Sequence, residues 1–147
     1  MTTHRDNLFT LAHGLQRHVP PPTFNMKAFM SDNNGDLNID LATLEIYHEC
    51  GTSACAVGHG PLFGLPAISS DYTWFDYCYR VFGVADPSPA WSWLFHAAWG
   101  ATDNTPTGAA ARILYFLDHG VPEEFHSVYQ FDEDRADYRR LIAPYLV

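Results

Sequence analysis

The chain has 147 residues, 47% hydrophobic and 15% aromatic, and a formal net charge of -9. That size and apolar content fit one globular domain with a single sizeable core and exclude a disordered chain. The eight Lys and Arg residues form no basic stripe, which excludes nucleic acid as a partner, and no apolar run nears the roughly 18 residues of a membrane span.

The opening segment, MTTHRDNLFTLAHGLQRH, lacks the basic-then-apolar pattern of a secretory signal, so a cytoplasmic setting with reduced cysteines is expected. Residues Arg5 to His18 place Leu8, Leu11, Ala12 and Leu15 at helical spacing, and Val19-Pro20-Pro21-Pro22 stops that helix. Phe24, Met26, Phe29 and Met30 predict one or two further helical turns, and the turn SDNNGD follows with Asn34-Gly35 at its tip. In LNIDLATLEIYHE, alternation of Leu37, Ile39 and Leu41, then of Leu44, Ile46 and His48, predicts a kinked strand, the second arm of a small hairpin.

Helix starts are better marked from there on. Thr52 or Ser53 is placed to cap a helix beginning near Ala54, and Asp71 one that runs through YTWFDYCYRVF to Gly83. Ser88-Pro89 opens AWSWLFHAAW, ending at Gly100, and Thr105-Pro106 opens TGAAARILYFLDH, closed by Gly120. One or two short helices are expected between Pro122 and Leu146. Residues 1–147 therefore read as one all-α domain, or mainly α with one small hairpin. Its expected core is Leu11, Leu15, Phe29, Cys55, Trp74, Cys78, Trp91, Leu94, Phe95, Ile113, Leu114 and Leu117.

Rings crowd the middle of the chain. Trp74, Tyr77, Cys78 and Val81 make one helix face, and Phe75, Tyr79 and Phe82 another. Trp91, Leu94, Phe95 and Ala98 form the next stripe, leaving Trp93 and His96 pointing elsewhere. Such helices serve a core first, and an aromatic pocket or a homo-oligomer interface second.

Chemistry-bearing residues concentrate in HECGTSACAVGH. If His48 and Cys50 share one side of a strand and Cys55 and His59 one face of a helix, a bend at Gly51 brings together two sulfurs and two imidazoles, a set suited to tetrahedral zinc. The spacing matches no standard zinc pattern. A second reading makes Cys55 a nucleophile whose thiol pKa is lowered at a helix N-terminus, with His48 or His59 as base. The third and favoured reading is architectural: Gly51 bends the chain, Thr52 caps, and Cys55 supplies small buried volume.

The run CGTSACAVGHGP, with FNM before it and NTPTGAAARILYFLDHGVP after it, resembles a group of small uncharacterised proteins from bacteria and their phages. That group has a Cys-Gly-Thr-x-x-Cys-x-x-Gly core followed by a Pro-started, Ala/Arg-rich helix ending in Gly. The resemblance spans roughly residues 8 to 122 and implies no established activity, so it assigns no catalytic residue.

DNNGDLNID resembles the start of a calcium loop, but Leu37 and Thr43 stand where the glycine and the closing glutamate are required, which excludes it. Asp132-Glu133-Asp134 before Arg135, Arg139 and Arg140 suits a solvated helix. No motif for carboxylate-pair hydrolysis, phosphate cradling or a serine nucleophile is present. The expected function is that of a non-enzymatic accessory protein of bacterial or phage origin that binds a protein partner through an aromatic or acidic surface.

Overall fold

The computed structural model describes residues 3–19, 23, 24, 26, 30, 31, 53–71, 73–123, 125 and 135–146. Helix α1 spans His4–His18, α2 Trp74–Phe82, α3 Pro89–Leu94, α4 Trp99–Thr102, α5 Pro106–His119 and α6 Arg135–Ile142, with 3-10 turns at Val57–Phe63 and Ala143–Tyr145. The fold is mainly α.

At its centre α1 packs against α5. Leu8, Leu11, Ala12 and Leu15 of α1 are buried, and across from them Ala109, Ala110 and Ala111 keep α5 slim enough for close approach. Polar clamps fix α1 at both flanks. Asn7 Nδ2 donates to the Val81 carbonyl at 2.7 Å, His4 Nε2 to the Arg80 carbonyl at 3.1 Å, and Arg5 Nη1 to the Leu117 carbonyl at 2.7 Å.

The caps follow the sequence closely, with one correction. Ser88 and Thr105 accept from Trp91 N and Gly108 N ahead of Pro89 and Pro106, and Gly83 and Gly120 close α2 and α5 at positive φ. Asp71, however, does not cap α2. Thr73 does, through a reciprocal box in which Thr73 Oγ1 accepts from Asp76 N and Asp76 Oδ2 accepts from Thr73 N. Asp71 accepts instead from Ile68 N and from Arg80.

Three other expectations give way to local physics. No helix starts near Ala54: Ser53–Ala54 pairs antiparallel with Met30–Ser31, and the following VGHGPLF, with two glycines and Pro61, winds only as a 3-10 turn. Met30 thus belongs to a two-residue strand rather than a helical turn, while the hairpin tip at Asn34-Gly35 and the strand from Leu37 to His48 lie outside the described residues. The aromatic helix does not run to Gly100. It stops at Leu94, because His96 Nδ1 accepts from Ala98 N, a side-chain-to-backbone bond that competes with helix continuation, and α4 starts afresh at Trp99.

That break changes the core. Trp93, expected to point away, is fully buried, its Nε1 donating to the Arg112 carbonyl at 3.0 Å, and Trp99 Nε1 reaches the Ser92 carbonyl. Leu114 and Leu117 are only partly buried, whereas Arg112 is wholly enclosed. The other expected core residues that are described are buried; Phe29 lies outside the described residues.

Candidate functional site

Of the four candidate zinc ligands, His48 and Cys50 lie outside the described residues. Cys55 and His59 are both buried and are joined by the backbone bond from His59 N to the Cys55 carbonyl. His59 Nε2 donates to the Thr23 carbonyl at 3.0 Å, and its ring lies nearly parallel to those of Phe24 and Phe63. Among the described residues no three His, Cys, Asp or Glu side chains gather as a metal would require. Cys55 and Cys78 are both buried and free. Burial pushes Cys55 up to about 11 and Cys78 well above the usual thiol value, in the opposite direction from the lowering expected at a helix N-terminus. Desolvation outweighs the backbone amides. A thiol at 2% exposure, protonated at neutral pH, has neither the access nor the thiolate that a nucleophile needs.

A polar centre that sequence reasoning missed lies where α4 passes into α5. Arg112, 0% exposed, lays its guanidinium over the Trp99 ring at 4.1 Å and donates from Nη1 to Asp103 Oδ2 at 3.2 Å. Asp103 Oδ1 accepts from Thr105 Oγ1 at 2.7 Å, so the residue that caps α5 also holds the carboxylate. Gly108 leaves room for it, since a Cβ there would collide with the Asp103 carboxylate. The Tyr138 ring from α6 closes against Trp99 at 5.2 Å. Burial lowers Arg112 to about 10, with Asp103 opposing, so it stays cationic at neutral pH. Leaving a buried charged donor unsatisfied costs about 1–3 kcal/mol or more. A sequence signal existed: an arginine four residues past a glycine, on the same face of an alanine-rich helix, with an aspartate just ahead of the cap.

Two open grooves mark the surface. The first, about 560 Å³, lies along α2 and is lined by Phe75, Asp76, Tyr79, Arg80 and Asp86 among others. Phe75 and Tyr79 are 43% and 62% exposed, so the second face of α2 splits: these two rings face solvent and Phe82 the core. Asp71 and Arg80, also in its lining, form a 2.7 Å ion pair. Burial acts to raise the Asp71 pKa, but Arg80 and the Ile68 amide together outweigh it and hold the carboxyl below its ordinary value. The second groove, about 510 Å³, runs between α1 and the Val57–Phe63 turn and carries Phe9, His13, Arg17, His18 and Leu62.

No helix among the described residues is long and apolar enough to cross a membrane. No family model, curated protein or solved structure matches the chain.

Proposed function

We propose that this chain is a non-enzymatic accessory protein whose α2 groove docks a cationic segment of a protein partner. The observation that carries this reading is the pairing of exposed Phe75 and Tyr79 with Asp76 and Asp86 in one open groove. Large rings kept in water beside carboxylates suit a partner that offers Arg or Lys with apolar stems, through burial, cation–π contact and charge complementarity. A cytoplasmic setting and a bacterial or phage source, to which the CGTSAC run points, belong to the same proposal. Affinity capture from bacterial lysate tests it with three baits. Proteins retained by the wild type and by Phe9→Ala, but lost from Phe75→Ala/Tyr79→Ala, support the α2 groove. Identical capture by all three baits removes it.

A second reading is favoured by charge. The α1 groove sets the cation Arg17 beside Phe9 and Leu62 and so complements the acidic, ring-lined α2 groove, which lets a second copy occupy it head to tail. Light scattering distinguishes the two: a mass that grows with concentration at low salt supports self-association, and a constant monomer mass leaves the foreign partner.

A further inference from the structure

The Nε–H of Arg112 and the adjacent N–H of Nη2 lie side by side along one edge of the guanidinium, and among the described residues neither nitrogen has a hydrogen-bond acceptor. Nη1, on another edge, is taken by Asp103. We propose that this unpaired edge of Arg112 is a binding site for a small carboxylate, whose two oxygens accept from Nε and Nη2 as a planar fork.

Three features organise the edge before any ligand arrives. The Trp99 ring at 4.1 Å fixes the plane of the guanidinium, Asp103 fixes its roll within that plane, and Trp93 Nε1 holds the Arg112 carbonyl. A donor pair already held in register loses little freedom on binding, and two parallel N–H groups match the spacing of carboxylate oxygens. The cation persists at neutral pH, as an anionic ligand requires. Enclosure sets the size class: Arg112 is wholly buried and the Tyr138 ring packs against Trp99, so the proposal is confined to the smallest carboxylates, formate and acetate. The site stands apart from the α2 groove and does not depend on a protein partner.

The test reads tryptophan emission, because Trp99 touches the guanidinium. The intact protein is titrated with sodium formate at constant ionic strength, sodium chloride making up the balance. A saturable change with a midpoint on the order of 1 mM is expected, as two charge-assisted hydrogen bonds would give. Replacing formate with chloride throughout leaves the emission flat. Arg112→Lys keeps the charge but not the fork, and weakens the formate response at least tenfold. A wild type that responds no more to formate than to chloride, or an Arg112→Lys variant that responds like the wild type, overturns the proposal. If Arg112→Lys does not unfold cooperatively on heating, the formate–chloride comparison on the wild type decides alone.

Discussion

Single residues in this protein are governed by how burial competes with a partner. At Cys55 burial wins. In a Cys50→Ser background, which leaves Cys55 and Cys78 as the remaining thiols, a disulfide reagent is expected to label nothing at neutral pH until urea unfolds the chain. Stoichiometric labelling within seconds in the native state would contradict the raised pKa. At Asp71 the partner wins, and the sign follows. A carboxyl with a lowered folded pKa contributes stability that is fully present above its unfolded value of 3.8 and lost as pH falls through the folded one. Asp71→Asn should cost about 1–2 kcal/mol at neutral pH. That is below the about 3–5 of a wholly buried pair, because the Arg80 side chain is 36% exposed. It should also flatten the acid limb of a urea-midpoint-against-pH curve; an unchanged limb would show the pair to be uncoupled from folding. Neither outcome was readable from residue order. Cys55 seemed poised by its place in a predicted helix, and Asp71 by its place before one, yet the first turned on desolvation and the second on an arginine nine positions away.

The helices are defined by their ends. Thr73→Ala should cost about 1 kcal/mol, the ordinary worth of a cap. Thr105→Ala should cost more, about 2 kcal/mol, because the same hydroxyl donates to Asp103 beneath Arg112. Equal midpoint shifts for the two variants in urea would mean that the Asp103 link is idle. Ends were also what the sequence showed best. Ser88-Pro89, Thr105-Pro106, Gly83 and Gly120 act through local geometry, which neighbours in the chain suffice to set. The errors lie where a side chain competes with the backbone or a distant strand intervenes. His96 ends α3 through its ring, and Met30–Ser31 captures Ser53–Ala54 into a ladder that no local signal announces. Arg112 is the same lesson in the core: helical phase places it on the buried face, and only the Asp103 and Trp99 contacts explain why a cation stands there.

At the scale of the whole molecule, charge and ring distribution set behaviour. With a net charge of -9, the chain should meet a cationic partner by electrostatic steering, so raising salt from about 0.05 to 0.5 M should slow association roughly tenfold while changing dissociation little. A salt-independent on-rate measured by stopped flow would argue for purely apolar docking. The break at His96 has an optical consequence. It sets the Trp93 and Trp99 rings 5.7 Å apart and nearly perpendicular, at 82°, both fully enclosed and held by hydrogen bonds from their Nε1 atoms. Two indoles so close and so fixed couple as an exciton pair. Their circular dichroism couplet is superimposed on the helical bands, so ellipticity alone will misstate the helix content of this protein. Trp99→Phe should abolish that couplet and bring the apparent helicity back to the value the backbone carries.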